Sequence, residues 1–373
     1  MPLPLFGTNT SFESLVANNQ TIAQLGPDGQ KHVWDGIASL LNAFNAQQKE
    51  LVSQFCERTT GRLRKYGGGK RFRMQRTDEF GRGNAQKMLV GSYVGFPMEK
   101  YEIATQWTAT ARKNMKVSEI AAQVTAVVTA SATGVIGNIK TALMGGVNYI
   151  FSDYLVDHVD NQFSLPVKAL LNADGQVIPP GPNGETFNGS THTHYLASVV
   201  LTNSWLVALV DTVVQHVNNG VPVMWINYAD ADAVSALPSF KELVYSTTQK
   251  SANQEYGEGV LDPVNINNRQ IGWFRGAAVW VKPFWPANYF LCFIAATAQG
   301  KPLAFRVRGT DPNGGEEVPD AGDLVLIYED EEHPLRATGW EQEYGIGVWG
   351  RNLAAIGYVG ASTYVIPDTT TFF

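Results

Sequence analysis

The sequence predicts a large α+β fold. Two long stretches before residue 146 repeat apolar residues at helical spacing, whereas the last third consists of short apolar or alternating runs that are typical of strands. The chain has 373 residues, of which 44% are hydrophobic and 17% are charged. Because folded domains usually carry about 25% charged residues, we expect either a big core or neighbouring subunits to hide apolar surface.

The N-terminal region predicts an arm followed by a helix. Residues 1–30 are polar and contain the break Gly26-Pro27-Asp28-Gly29, which favours an extended arm, with a disordered terminus as the alternative. In residues 31–64, apolar side chains between Trp34 and Phe55 recur every three or four positions. This spacing predicts an amphipathic helix, and we expect it to end near Gly61.

Residues 65–112 predict a long two-stranded hairpin. Residues 88–110 are rich in Val, Tyr, Ile, Thr and Trp, and residues 78–84 have the composition of a loop tip. A two-stranded hairpin alone is barely stable in water, so we expect this one to rest on a partner subunit.

A basic cluster at this hairpin and an acidic run at residues 329–332 predict contacts between identical copies. Opposite charges attract one another across an interface and fix its register. The candidate contact residues are Arg62, Arg64, Lys70, Arg71, Arg73, Arg76, Glu329, Asp330, Glu331 and Glu332. A solvated surface and nucleic-acid binding are the alternatives, although a net charge of −6 argues against a dedicated nucleic-acid binder.

The middle and the end of the chain predict an α/β mixture. A second long helix is expected at 117–145, with Ser118 helping to start it and Gly145-Gly146 ending it, before an irregular stretch at 165–195. Thr202 or Asn203 is expected to cap the next helix. That helix is predicted at 203–218, a buried strand at 221–227, a short helix at 229–237, and further strands at 277–284, 289–293, 323–328 and 335–343.

Motifs of enzymes are missing from the sequence. It has no GxSxG elbow, no P-loop and no HExxH, so we predict a protein without catalytic residues or cofactors. The strand-like pair Glu341 and Glu343, close to Asp330 and Trp340, leaves a carbohydrate-active hydrolase as an alternative, against a salt-bridged strand.

Two further groups were weighed as metal or redox sites. His192 and His194 alternate on an extended segment and could share a metal ion, with a hydrogen-bonded loop as the alternative. No third histidine lies close in sequence, and Asp174 or Glu185 could only be guessed as the third ligand, so we predict no metal site. Cys56 and Cys292 are expected to be reduced core residues. The chain lacks the features of a signal peptide, and its richest apolar stretch, 277–298, is broken by Lys and Pro, so we predict no membrane-spanning helix.

Several segments in order resemble the major capsid proteins of tailed bacteriophages, whose type fold is named after phage Hong Kong 97. The resemblance begins at NSWLVALVDTVVQHVNNGVPVMWINYADADAVSALPSF, residues 203–240, and continues through IGWFRGAAVWVKPFWPANYFLCF, KPLAFRVRG and residues 322–360. It implies a Hong Kong 97-like fold with the following parts: an N-terminal arm at 1–30, a helix at 31–64, an E-loop at 65–112, a P-domain with a spine helix at 113–195, an A-domain at 196–305, and returning strands with a C-terminal tail at 306–373.

The resemblance also implies a function by assembly. Copies of the chain would form pentamers and hexamers and then the icosahedral head shell, in the virion, around double-stranded DNA that is bound without sequence-specific contacts. A separate scaffolding protein and a portal are the implied partners, with a decoration protein as a further candidate, and the shell would assemble in the bacterial cytoplasm. An encapsulin-like compartment of the same fold is the nearest alternative.

Overall fold

The computed structural model describes residues 12–17, 20–25, 27–67, 74–77, 79–86, 91–153, 163–217, 219–243, 268–295, 300–311, 314–330 and 335–368. The predicted contact residues Lys70, Arg71, Arg73, Glu331 and Glu332 lie outside them.

Helices occupy mainly the first two thirds of the described chain. They are α1 (Phe12–Ala17), α2 (Pro27–Phe55), α3 (Ala109–Asn114), α4 (Val117–Met144), α5 (Asn203–Val214) and α6 (Ala231–Ser235), with 3₁₀ turns at Ile22–Gln24 and Tyr228–Asp230.

The strands are short except for two. They are β1 (Cys56–Thr59), β2 (Leu63–Tyr66), β3 (Ser92–Gly95), β4 (Glu99–Thr108), β5 (Tyr149–Asp153), β6 (Phe163–Val167), β7 (Tyr195–Ser198), β8 (Pro222–Ile226), β9 (Phe240–Glu242), β10 (Arg269–Phe274), β11 (Ala277–Val281), β12 (Tyr289–Ile294), β13 (Leu303–Arg306), β14 (Gly309–Asp311), β15 (Gly314–Glu317), β16 (Val325–Asp330), β17 (Leu335–Val348) and β18 (Ala354–Val359).

Two sheets organise the fold. One has the order β7-β18-β12-β8-β11-β10-β9, and the other has the order β1-β13-β17-β16, with β4 also paired to β17. Helix α5 packs on the first sheet through Leu206, Leu209 and Val213, which are fully buried with Phe290. The neighbouring core joins α2 and α4 to both sheets through side chains such as Phe55 and Leu143. The mixture of parallel and antiparallel pairs confirms the predicted α+β class.

Helix α2 follows the predicted periodicity but buries a slightly rotated face. Ile37 and Phe55 are buried as expected, together with Val33 and Val52, whereas Trp34 is 37% exposed. The helix ends at Phe55, before the predicted Gly61, because the chain from Cys56 onward pairs as a parallel strand with β13. Tertiary pairing thus overrides the local signal.

Helix α4 begins and ends close to the predicted positions. Lys116 rather than Ser118 is its N-cap, and the Glu119 carboxylate accepts a hydrogen bond from the Lys116 backbone N–H at 2.9 Å. Gly145 is the C-cap, as predicted. Among the described residues α4 is the one helix whose length and composition would allow it to cross a membrane, which corrects the expectation that no segment has this property. In this subunit one side of α4 packs against α2 and β17.

The predicted hairpin at 65–112 is wrong in its pairing. Among the residues of this segment that the structure describes, only the base of the hairpin forms, between β2 and β3, and β4 instead pairs with β17 along its whole length. Alternating exposed and half-buried side chains in β4 suit a strand that has one face toward the core. The strand-like composition was therefore correct, and the partner was not.

Glycines allow a close crossing in β17. A Cβ at Gly345 would overlap the carbonyl oxygen of Pro97, and one at Gly347 would lie 2.9 Å from the Phe96 ring. The segment between β3 and β4 therefore crosses β17 at a distance that only glycine permits.

Candidate functional sites: charged residues, a hairpin tip and a three-histidine cluster

The basic residues nearest β1 and β2 have partners within the chain. Arg58 donates hydrogen bonds to the Glu317 carboxylate, and Arg64 forms a 2.9 Å ion pair with Glu57. The Arg62 side chain is only 7% exposed and lies 4.9 Å from the Phe163 ring centroid and 3.8 Å from Asp153. Arg62 thus lies inside the subunit, and its predicted intersubunit role has no support from its position.

Arg62 belongs to a buried ionic group that the sequence did not indicate. Arg306 and Asp153 are 2% and 0% exposed and form an ion pair of 2.7 Å, and Arg306 also donates to the Phe96 carbonyl at 2.8 Å. Burial lowers the pKa of Arg306, and the Asp153 charge opposes this change. Since Asp153 and Arg306 are 153 positions apart, no local pattern could have paired them.

The hairpin tip, residues 74–77 and 79–86, projects two apolar side chains into solvent. Met74 and Phe80 are 104% and 95% exposed, and Arg76 on the same tip is also exposed. The Gln75 side chain closes the tip by accepting a hydrogen bond from the Asn84 N–H at 2.7 Å. Of the predicted acidic partners, Glu329 and Asp330 end β16.

A groove runs between α4 and β4 and has a volume of about 770 Å³. Small side chains of α4, among them Ala122, Ala126 and Ala130, line one wall, and Tyr101 and Ile103 of β4 line the other. The groove is therefore a shallow, mainly apolar surface on the outside of the long helix.

The carboxylates of β17 are each held by a cation. Glu341 accepts from Lys100 at 2.6 Å, and Glu343 accepts from two nitrogens of Arg308 at 2.5 and 2.6 Å. The hydrogen bond to Glu341 raises the pKa of Lys100. This arrangement matches a salt-bridged strand, which was the alternative to the hydrolase.

Three histidine side chains converge behind the irregular stretch at 165–195. The Nε2 atoms of His192 and His194 are 3.2 Å apart, and the Nε2 atom of His216 lies 3.0 Å from the first and 3.1 Å from the second. Backbone hydrogen bonds from His192 to Asn188 and from His194 to Leu171 position the first two residues. His216 follows the end of α5, where its N–H donates to the Val213 carbonyl.

Burial disfavours the charged form of these imidazoles. It lowers the pKa of His192, lowers that of His194 well below its usual value, and, together with the charge of His192, lowers that of His216 to about 3. The His194 Nδ1 atom lies 2.7 Å from the Ala354 carbonyl oxygen and must donate its proton there, so the Nε2 atom of His194 carries a lone pair. The Phe187 ring covers His216 at a centroid distance of 4.1 Å. The sequence had suggested the first two histidines, but nothing near His216 in sequence identified it as the third.

A buried arginine fixes the same irregular stretch to the end of β17. Arg351 is fully buried and donates to the Ala169 carbonyl at 2.7 Å, to Asn172 at 3.0 Å and to the Asp174 carboxylate at 3.0 Å. Burial alone would raise the pKa of Asp174, but the charge and hydrogen bond of Arg351 and further hydrogen bonds hold it below its usual value. Cys56 and Cys292 are buried free thiols, as predicted, and burial raises the pKa of Cys292 to about 12.

Comparison with known proteins gives structural but not sequence matches. No protein-family model and no curated protein matches the chain. A solved structure from Mycobacterium phage Patience is 18% identical, covers 92% of this chain and 92% of its own, and has a TM-score of 0.63. The mature capsid of bacteriophage PhiM1 is 8% identical over 82% of this chain and 85% of its own (TM-score 0.46), and the holo-SrpI encapsulin of Synechococcus elongatus is 10% identical over 86% and 90% (TM-score 0.43).

The Patience match carries the conclusion on the fold because it combines nearly full coverage of both chains with the higher similarity score. Along the chain, the described residues form a long helix, an exposed hairpin tip, a second long helix, and two mixed sheets. The chain therefore has the Hong Kong 97-like fold, the fold of tailed-phage capsid proteins.

Proposed function

We propose that this chain is the major capsid protein of a tailed bacteriophage. It assembles as pentamers and hexamers into the icosahedral shell that encloses the double-stranded DNA genome. The observation that carries the proposal is the backbone match to the Patience phage structure over 92% of both chains. Because one fold can serve several functions, the proposal also needs surfaces suited to assembly.

The hairpin tip supplies one such surface. Met74 and Phe80 are almost completely exposed in the isolated subunit. Burying an apolar side chain of this size contributes about 1.5–3 kcal/mol, so both residues stabilise a complex in which a neighbouring copy covers them. Repeated around a closed ring, modest contacts of this kind give a stable shell.

The groove between α4 and β4 supplies a complementary surface. Its small alanine side chains leave room for larger side chains of a neighbour. We assign this groove to contact with the hairpin tip of a neighbouring copy, because the two surfaces are both apolar and lie on different parts of the subunit. The predicted attraction between Lys70, Arg71, Arg73 and Arg76 and the acidic run at 329–332 would add register to this contact.

The remaining parts of the proposal concern partners. A separate scaffolding protein and a portal assist assembly in the bacterial cytoplasm, and DNA lies against the inner surface without sequence-specific contacts. A net charge of −6 suits a shell that does not hold DNA tightly. The domain limits given above, from the arm at 1–30 to the tail at 306–373, belong to the same proposal.

Particle mass tests this function. We expect the purified chain to form rings or closed shells in negative-stain images and light scattering, alone or with its scaffolding partner. The double variant Met74→Ser/Phe80→Ser should remain folded but lose assembly, whereas the control Met74→Leu/Phe80→Leu should assemble. A wild-type chain that stays a 40.8 kDa monomer with every partner would refute the proposal.

The content of purified particles separates the two shell functions. Particles from infected cells that contain double-stranded DNA agree with a phage capsid. Particles that contain a protein cargo and no genome would instead identify an encapsulin-like compartment.

A further inference from the structure

We propose that His192, His194 and His216 form a binding site for one Zn²⁺ ion. The site does not depend on the capsid function, because its argument rests only on these side chains and their surroundings. The sequence alone predicted no metal site, since it offered two histidines and no third.

The positions of the three nitrogens fit a zinc ion. Ligand nitrogens that lie about 2.0–2.1 Å from a tetrahedral zinc ion are roughly 3.3–3.4 Å from one another. The three Nε2 atoms here are 3.0, 3.1 and 3.2 Å apart and so form a nearly equilateral triangle. A shift of a few tenths of an ångström would seat the ion slightly out of the plane of the nitrogens.

Hydrogen bonding accounts poorly for the same triangle. The lone pair of His194 Nε2 faces the other two Nε2 atoms, because the Nδ1 proton is committed to the Ala354 carbonyl. With no proton on His194 Nε2, any placement of protons on the other two Nε2 atoms leaves at least one of the three close pairs with two facing protons or with none. A cation at the centre instead interacts favourably with all three lone pairs.

The surroundings hold the three imidazoles in place and provide the ligand type that zinc binds. His194 and His216 are 0% and 2% exposed, and an apolar ring, Phe187, packs over His192 and His216. Imidazole nitrogen is a common ligand of Zn²⁺. The bond to the Ala354 carbonyl also fixes the orientation and tautomer of His194, as such outer contacts do in zinc proteins. His192 is only half-buried, so a water molecule can complete the tetrahedron from its side.

A zinc ion here would link two separate parts of the chain. His192 and His194 lie in the irregular stretch before β7, and His216 follows α5, which packs on the seven-stranded sheet. Metal binding to the folded state alone stabilises that state in proportion to the logarithm of the metal concentration. We therefore expect zinc to raise the thermal unfolding temperature of the chain.

The test measures zinc content directly. Full-length protein without a polyhistidine tag is stripped with EDTA, incubated with zinc sulfate, dialysed, and analysed by inductively coupled plasma mass spectrometry. We expect one zinc ion per chain in the wild type and in the control His32→Gln, and at least a tenfold loss in His192→Gln and His216→Gln. His32 lies on α2, outside the cluster.

A second measurement removes any dependence on how the variants fold. X-ray absorption at the zinc edge of the loaded wild type should show imidazole nitrogens at about 2.0–2.1 Å, and EDTA should lower its unfolding temperature. Wild-type protein that retains no zinc after dialysis would overturn the proposal. So would wild-type zinc content equal to that of circular-dichroism-verified His192→Gln, or an absorption spectrum without imidazole ligands.

Discussion

Replacement of Arg351 by methionine should destabilise the fold strongly. The guanidinium group is fully buried and donates hydrogen bonds to the carbonyls of Ala169 and Leu170, to Asn172 and to the Asp174 carboxylate. Methionine fills a similar volume but donates no hydrogen bond. The substitution therefore leaves a half-buried carboxylate and several buried carbonyls without this donor.

The size of the effect follows from those lost contacts. Removing one member of a buried ion pair typically costs about 3–5 kcal/mol, and one buried polar group left without its partner costs about 1–3 kcal/mol. Because the two figures describe overlapping losses, we expect a decrease of about 3–5 kcal/mol in the free energy of unfolding, not their sum. Since a domain of this kind has a total stability of only about 5–15 kcal/mol, the variant approaches the limit of folding.

An exposed ion pair of the same chain provides the matched control. Arg275 pairs with Asp211 at 2.8 Å, but both side chains are about half exposed. Urea unfolding followed by tryptophan fluorescence should show a much lower midpoint for Arg351→Met and an almost unchanged midpoint for Arg275→Met. Equal shifts in the two variants would show that the buried network does not stabilise the fold in the way argued here.

Two further predictions concern backbone crossing and acid stability. Gly345→Ala should lower the unfolding temperature markedly because its Cβ would overlap the backbone of Pro97. Gly134→Ala in α4 should instead raise stability by about 0.5–1 kcal/mol, because the nearest atom outside the helix, the Tyr344 hydroxyl oxygen, would lie 3.9 Å from the new Cβ. Calorimetry of both variants checks the contrast. The pKa of Asp174 is lower in the folded state than the value of about 3.9 in unfolded chains, so its contribution is complete above that value and is lost as the pH falls through the folded pKa. Wild-type stability should therefore fall more steeply than that of Asp174→Asn between about pH 5 and pH 2, and parallel pH curves would contradict this reasoning.

The helical spacing of apolar residues correctly predicted the helices that pack through one continuous buried face. Helix α5 begins after the predicted cap Thr202, whose side chain accepts from the Trp205 N–H at 3.3 Å, and its buried Leu206, Leu209 and Val213 recur at helical spacing. Helix α4 likewise spans nearly the predicted range. In both cases the residues that determine the element lie within a few turns of one another, so the sequence contains the information directly.

Long-range pairing could not be predicted in the same way. Strand β4 has the composition of a hairpin strand, yet its partner β17 lies more than 200 positions later. Backbone N–H and C=O groups are the same in every strand, so the composition of β4 does not select its partner. Which strand pairs with β4 depends on which side chains the pairing places in the core. In the pair with β17, Trp340 lies opposite Ile103 and is buried. The resemblance to capsid proteins supplied the overall fold, but not this pairing.

The candidate metal site likewise depends on a long-range contact that the sequence does not predict. His192 and His194 share one extended segment, and their alternation was visible in the sequence. His216 reaches them only because α5 packs on β18, which in turn pairs in parallel with β7 directly after His194. A third ligand that is placed by a sheet cannot be recognised from spacing alone.

Directed polar contacts hold the part of the subunit where regular pairing is sparse. Between β6 and β7 the described chain has little sheet pairing, so its backbone groups need other partners. Arg351 satisfies two of its carbonyls, and the histidine cluster joins its end to the residue after α5. Apolar contacts are non-directional and spread over many residues, whereas these contacts depend on single side chains. This stretch should therefore be sensitive to single polar substitutions and to metal.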